Sequence, residues 1–103
     1  MVTRKQAVSL VNHYLASKWP NHSDGPRVVW EEETEEYSSC WVCYWVLQKY
    51  LETRERQYRT GGNYPIIVDK LDGALYLTGF RPIEEYVATF DLDKSQLKRL
   101  TPS

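Results

Sequence analysis

With 103 residues, the chain has room for one domain, and we expect that domain, residues 1–103, to bury about two thirds of the surface that its unfolded form exposes. Its 42% hydrophobic and 26% charged residues argue against disorder, and no apolar run approaches the roughly 18 residues that span a membrane. Thirteen basic residues against 14 acidic ones give a net charge of -1, which provides no field to attract nucleic acid and argues against that class of partner.

The first predicted element is a helix that begins after Thr3. Thr3 and Gln6 have the spacing of a capping box, in which each side chain accepts a hydrogen bond from the other residue's backbone N–H. Five apolar residues at three- and four-residue spacing then predict one buried stripe: Ala7, Leu10, Val11, Tyr14 and Leu15. Pro20 is predicted to end the helix, and residues 21–26 to form a loop.

Two strands are predicted next. Residues 27–36 favour an extended strand because their first half is rich in β-branched and aromatic side chains, although five glutamates crowd the second half. After a turn at residues 37–39, the unbroken apolar run 40–47 suits a central strand that is covered on both faces. Residues 48–64 are charged and end in glycines, so we expect them to form an excursion at the surface.

A hairpin and a second helix complete the predicted fold. Residues 65–69 and 74–78 are predicted strands joined by Asp72-Gly73, whose glycine supplies the positive φ that the turn needs. Pro82 fits the first position of a short helix with the apolar stripe Ile83, Tyr86, Val87 and Phe90. Beyond it, Leu92, Leu97 and Leu100 are expected to add at most one docked turn. The sequence therefore predicts an α+β fold with an N-terminal helix, a four-stranded, mostly antiparallel sheet and a C-terminal short helix, the sheet packing on one or both helices.

The two cysteines, Cys40 and Cys43, have the C-x-x-C spacing of redox dithiols and of half a zinc site. On a strand, however, residues three apart point to opposite faces, so we predict two buried, unbridged thiols. The only histidines, His13 and His22, supply no second ligand pair, and we expect neither a metal nor a cofactor. So few cysteines, and a polar segment after Met1 in place of a signal peptide, favour the cytoplasm.

Catalytic motifs find no support in the sequence. No acid or nucleophile is placed beside either histidine by any motif. A calcium loop starting at Asp69 would need a glutamate where Phe80 stands. The glycines Gly61 and Gly62 precede a predicted strand, whereas a phosphate cradle needs a helix N-terminus. We therefore predict no catalytic residue and no enzyme.

The strongest local charge feature is a run of five glutamates within residues 31–36. Such a run is ordinarily a solvated edge or hairpin tip. The functional alternative is that carboxylates on both faces of a protruding hairpin form a docking site for a basic protein, together with neighbouring aromatics. An excess of aromatics, with four Trp and eight Tyr, favours some exposed rings. The candidate partner-binding residues are Trp30, Glu31, Glu33, Glu35, Tyr37 and Trp41.

The second half of the chain carries a series of spaced blocks: Leu51-Glu52-Thr53, residues 62–70, Asp72-Gly73, Gly79 and residues 82–86. Together they resemble the signature of the YrhB-like, immunity protein 35 domain, and the likeness extends more weakly back to Thr3. The chain departs from that pattern at Arg54-Glu55, where relatives usually carry Gly-Asp, and in its run of glutamates.

The resemblance implies a bacterial α+β domain that is often encoded beside polymorphic toxins and acts without catalysis. It implies a protein-binding module, and the leading interpretation is an immunity protein, monomeric or homodimeric, that neutralises a cognate toxin by binding it. The alternative is a small holdase-like chaperone that binds unfolded clients through exposed aromatics. An antidote should bind one partner tightly and in fixed ratio, whereas a chaperone should bind many clients weakly.

Overall fold

The computed structural model describes residues 1–18, 25–58 and 64–101, and in it helices flank a twisted antiparallel sheet. The elements are α1 (Arg4–Lys18), β1 (Arg27–Val29), β2 (Glu35–Glu36), β3 (Cys40–Cys43), β4 (Trp45–Leu47), α2 (Gln48–Thr53), β5 (Ile66–Asp69), β6 (Leu75–Leu77), α3 (Ile83–Asp93) and β7 (Arg99–Leu100). Five strands pair in the order β2-β3-β5-β6-β7, and β1 pairs with β4 separately. The predicted α+β class is confirmed, whereas the predicted count of four strands is wrong.

Helix α1 begins as its capping box predicts. The backbone N–H of Thr3 donates to Gln6 Oε1 over 2.9 Å, and the backbone N–H of Gln6 donates to Thr3 Oγ1 over 3.2 Å. Four residues of the predicted stripe are buried, but Leu10 is 39% exposed, and Val8 is buried in addition. The buried face is therefore rotated slightly from the predicted one. Pro20 and most of the predicted loop lie outside the described residues.

The predicted strand 27–36 is wrong, because it consists of two strands separated by a 3-10 turn over Glu31–Glu33, which we name the acidic turn. Val29 pairs with Trp45, and the next pair in the second ladder is Glu35 with Val42. Opposite the acidic turn, the predicted strand 40–47 is interrupted at Tyr44. Glu35 and Glu36 stay in the ladder because β2 is an edge strand and both side chains are exposed, whereas Glu31–Glu33 leave it in the acidic turn and are exposed there.

The hairpin of β5 and β6 confirms the prediction for Asp72-Gly73. Ile66 pairs with Leu77 and Val68 with Leu75. Gly73 has a φ of 76° and its N–H donates to the carbonyl of Asp69 over 2.9 Å. A glycine is favoured there because a side chain would be strained at a positive φ.

Two segments differ from the sequence-based expectation. The predicted excursion 48–64 contains α2 and a 3-10 turn, Arg56–Tyr58, in its described part. Helix α3 confirms the predicted C-terminal helix, with Pro82 as its N-cap, one position before the predicted one. It is followed by one 3-10 turn, Lys94–Gln96, after which Leu97 packs on the α3-side core, and then by β7. Leu100 is buried against the sheet, whereas Leu92 is 88% exposed. The sheet thus gains a fifth strand that the sequence did not indicate.

The five-stranded sheet separates two hydrophobic cores, one under α1 and one under α3. The α1 side contains Val11, Leu15, Trp41, Cys43, Ile66 and Val68 among others. The α3 side contains Cys40, Val42, Ile67, Tyr76, Val87 and Phe90 among others. Cys40 and Cys43 therefore lie on opposite faces of β3, as predicted, and both thiols are free and fully buried. Burial raises the pKa of Cys40 to about 11 and that of Cys43 to about 12.

Candidate protein-binding surface

The five glutamates of the acidic run do not share one face. Glu31, Glu32 and Glu33 are exposed on the acidic turn. In β2, Glu35 lies opposite Val42 and therefore on the α3 side, while Glu36 lies opposite Trp41 and on the α1 side. The run thus presents carboxylates in three directions around the edge of the sheet.

Internal partners neutralise some of these carboxylates and leave others available. Glu36 forms an ion pair with Lys70 over 2.8 Å, and Glu32 lies 3.6 Å from the guanidinium of Arg54. Within the described ranges, the carboxylates of Glu31 and Glu33 form no ion pair. The backbone carbonyl of Glu31 accepts a hydrogen bond from Arg4, which ties the turn to the start of α1. The turn is therefore anchored through its backbone while two of its charges face solvent.

On the α3 side, half-buried tyrosines lie beside this acidic edge. Tyr37 and Tyr44 pack against the α3-side core, and the hydroxyl of Tyr44 donates to Glu35 Oε1 over 3.2 Å. Burial, followed by the charge of Glu35, raises the pKa of Tyr44 to about 12, so this phenol keeps its proton at neutral pH. Burial, Glu35 and Glu84 raise the pKa of Tyr37 in the same direction. We name Glu35, Tyr37, Tyr44 and Glu84 the tyrosine face.

Two members of the tyrosine face were not identified from the sequence. Glu84 belongs to the first turn of α3, which is more than 40 residues from β2 in the chain, and only the fold brings it close. Tyr44 lies within the apolar run that the sequence assigned to a buried strand. Alternation along the chain places Tyr44 on the face of Val42 and not on that of Trp41, but it does not show that this face is near the surface at Tyr44.

Trp30 lies in a second cluster, next to the acidic turn. Its ring and that of Tyr50 from α2 meet edge to face, with centroids 5.7 Å apart and an interplanar angle of 72°. The guanidinium carbon of Arg54 lies 5.6 Å from the Trp30 centroid and 5.8 Å from the Tyr50 centroid. The backbone N–H of Trp30 donates to the carbonyl of Tyr44 over 2.8 Å, so this cluster adjoins the tyrosine face. We name Trp30, Glu32, Tyr50 and Arg54 the tryptophan cluster.

Trp41, the sixth candidate residue, lies apart from the others in the α1-side core. It is 9% exposed, and its indole N–H donates to the carbonyl of Val2 over 3.0 Å. The ammonium group of Lys70 lies 4.8 Å from the ring centroid. Trp41 therefore stabilises the packing of the N-terminal segment and presents little surface to a partner.

No helix in the ranges that the structure describes is long and apolar enough to cross a membrane. In the same ranges, no group of three His, Cys, Asp or Glu side chains comes together as metal ligands would. The surface that stands out chemically among the described residues is the acidic edge with its half-buried aromatic neighbours.

The fold and this surface define a small α+β protein with an acidic, aromatic face beside the edge of its sheet. The chain belongs to the immunity protein 35 family, whose model matches residues 5–89. It is 30% identical over 96 residues to "Uncharacterized protein YrhB" of Escherichia coli strain K12, an alignment that covers 92% of this chain and 95% of that protein. No solved structure gives a significant match. The resemblance noted from the sequence is thus confirmed.

Proposed function

We propose that the protein is an immunity protein that neutralises a cognate toxin by binding it directly through the acidic turn and the tyrosine face. Membership of an immunity protein family supports the general role. The observation that carries the choice of surface is the pairing of unneutralised carboxylates, Glu31 and Glu33, with half-buried tyrosines on the same edge of the sheet. Charge complementarity makes the expected toxin surface basic.

The two kinds of group perform different parts of the binding. Exposed carboxylates attract a basic surface over several ångströms, so they raise the rate of encounter, and salt screens their effect. Tyrosines contribute a large, rigid and amphipathic contact area at low cost in side-chain entropy, and their desolvation slows dissociation. The Tyr44 hydroxyl donates its single proton to Glu35, and its oxygen can accept a hydrogen bond from a partner.

The comparisons give no support to the chaperone alternative. The measurement that separates the two roles is stoichiometry, because an antidote forms a complex of fixed ratio with one toxin. In a chaperone, the same half-buried rings would instead suppress the aggregation of unrelated proteins at weak affinity.

The steering role of the acidic turn is tested by Glu31→Gln combined with Glu33→Gln. We expect association with the cognate toxin to slow about fivefold at low salt, its salt dependence to flatten, and dissociation to stay unchanged. The matched control is Asp72→Asn combined with Asp93→Asn, which removes two exposed carboxylates elsewhere and preserves their backbone hydrogen bonds. Surface plasmon resonance at two salt concentrations measures both rates. An association rate that is equal in the two double variants would remove the acidic turn from the interface.

The contribution of the tyrosine face to slow dissociation is tested by Tyr37→Ala, with Tyr37→Phe as the control. Loss of the ring should speed dissociation and weaken binding by about 2 kcal/mol if this tyrosine is a hot spot. The phenylalanine variant retains the contact area and should bind nearly as well. Dissociation rates of the purified complexes measure the difference, and equal rates for the alanine variant and the wild type would place the interface elsewhere.

A further inference from the structure

The tryptophan cluster has the composition of a site for a cation, and this chain's own Arg54 occupies it. We propose that Trp30, Tyr50 and Glu32 form a binding site for an arginine side chain of a protein partner, and that Arg54 fills this site until the partner displaces it. That the partner is the toxin rests on the proposed function, whereas the site itself is testable without any toxin.

The geometry of the cluster is that of a cation held against two rings. Trp30 and Tyr50 come from separate segments. Their ring planes are inclined at 72°, so the two rings form adjacent walls of a corner. The guanidinium lies 5.6 Å and 5.8 Å from the two ring centroids, within the roughly 6 Å over which a ring attracts a cation. The carboxylate of Glu32, 3.6 Å from Arg54 Nη2, supplies the opposite charge. Two aromatic walls and one acid are therefore arranged around a single cation.

The backbone of Arg54 indicates that its side chain has a role beyond ending the helix. Arg54 is the C-cap of α2 with a φ of 59°, in the left-handed region, and its N–H donates to the carbonyl of Tyr50. Among the described residues, it is the only residue other than glycine with a positive φ. Glycine would end the helix with less strain, because any side chain is disfavoured in this conformation. An arginine here is consistent with a requirement for its cation in the cluster.

The site is open enough for exchange of its occupant. The Arg54 side chain is 50% exposed and the Glu32 side chain 75%, so rotation about side-chain bonds can withdraw the guanidinium without unfolding α2. The indole N–H of Trp30 is buried and has no acceptor in the part of the chain that the structure describes. Buried polar groups are nearly always paired, and because a guanidinium has no acceptor, a backbone carbonyl of the partner segment is the group that would accept this hydrogen bond.

An arginine fits better than a lysine as the displacing group. The present occupant is a guanidinium, whose planar shape stacks on rings and pairs with a carboxylate at the same time. A partner arginine would make the same contacts and would also be drawn to the neighbouring carboxylates of the acidic turn.

The experiment titrates the short peptide acetyl-Gly-Arg-Gly-amide into the full chain labelled with nitrogen-15. Binding is followed at the indole N–H resonance of Trp30, which is assigned from the spectrum of Trp30→Phe. Arg54→Gly removes the internal cation, and glycine is favoured in the left-handed C-cap conformation. Arg54→Asn is the second variant that removes the cation, because asparagine also tolerates this conformation. The matched control is Arg56→Gln, which removes a neighbouring cation from outside the cluster.

We expect Arg54→Gly to bind the peptide about tenfold more tightly than the wild type, because no internal cation competes. Arg56→Gln should match the wild type, and adding Glu32→Gln to Arg54→Gly should reverse most of the gain. Equal affinities of Arg54→Gly and the wild type, or a Trp30 resonance that does not move in either emptied variant, would overturn the proposal. A toxin that binds elsewhere would refute the proposed interface and leave this peptide result unchanged.

Discussion

The turn from β5 to β6 and the acidic turn, which joins β1 to β2, are of opposite kinds. In the turn from β5 to β6, Asp69 and Asp72 accept hydrogen bonds from the backbone N–H groups of Leu71 and Ala74, and Gly73 takes the positive φ. Asp69 also forms an ion pair with Lys94 over 2.5 Å, which links the turn to the segment after α3. The polar side chains of this turn therefore find their hydrogen-bond and ion-pair partners within the protein itself.

The acidic turn between β1 and β2 differs in each of these respects. Its three glutamates are exposed, and beneath it the Trp30 indole N–H and the Thr34 hydroxyl are buried without a partner among the described residues. The polar side chains of the β5–β6 turn are paired instead. An unsatisfied buried polar group costs about 1 to 3 kcal/mol. Regions that violate the local rules in this way are frequently those that bind other molecules.

The largest expected effect lies in the five-stranded sheet. Ile67 of β5 is fully buried in the α3-side core. Ile67→Ala should lower the free energy of unfolding by about 2 to 5 kcal/mol, because it removes buried methyl groups and leaves a cavity. Urea unfolding followed by circular dichroism measures this change. Glu33→Ala, in the acidic turn, should change the same quantity by less than about 0.5 kcal/mol. Comparable losses in the two variants would mean that the acidic turn is part of the structural core.

A smaller effect is expected at the β5–β6 turn. Gly73→Val places a branched side chain at a φ of 76°, with its Cβ 2.9 Å from Leu10 Cδ1. We expect a loss of about 1 to 3 kcal/mol in the free energy of unfolding. Gly25→Val is the control, because Gly25 has a φ of 94° but no atom within 4 Å of the new Cβ. The difference between the two losses in the free energy of unfolding measures the effect of the close contact with Leu10. An unchanged unfolding midpoint in Gly73→Val would contradict the expected backbone strain at Gly73.

The last effect is absent at neutral pH and concerns the dependence of stability on alkaline pH that the two buried thiols confer. Their pKa values are raised from 9.0 to about 11 and about 12, so the folded chain retains protons that the unfolded chain loses. The contribution of the protonated thiols to the free energy of unfolding is fully present below pH 9. It declines as the pH rises toward 11 to 12. Urea midpoints between pH 8 and pH 10.5 should therefore fall less steeply in Cys40→Ala combined with Cys43→Ala than in the wild type. Identical slopes would show that the thiols are more solvated than the fold indicates.

Local chemistry made some elements predictable from the sequence. The capping box of Thr3 and Gln6 and the turn glycine Gly73 each specify a backbone geometry within a few residues. The opposite faces of Cys40 and Cys43 followed from the alternation of a strand alone. Each of these features depends on neighbours in the sequence.

The remaining features depend on contacts that are distant in sequence. Strand β7 has only two residues, and its pairing with β6 leaves no periodic signal. An apolar run buried on both faces does not reveal which side lies near the surface, so Trp41 was expected at the interface and Tyr44 was not. Glu84 and Arg54 reach the candidate surface from other elements. Only the packing of those elements brings these side chains together.

The two edge strands of the five-stranded sheet affect how the protein behaves at high concentration. At one edge, β2 consists of Glu35–Glu36, and at the other, β7 consists of Arg99–Leu100. A strand from another molecule would find only two residues of regular backbone at either edge, each with an exposed charged side chain. Short, charged edges are a known protection against edge-to-edge aggregation and fibre growth. The two edges of the five-stranded sheet therefore offer little backbone template for self-assembly.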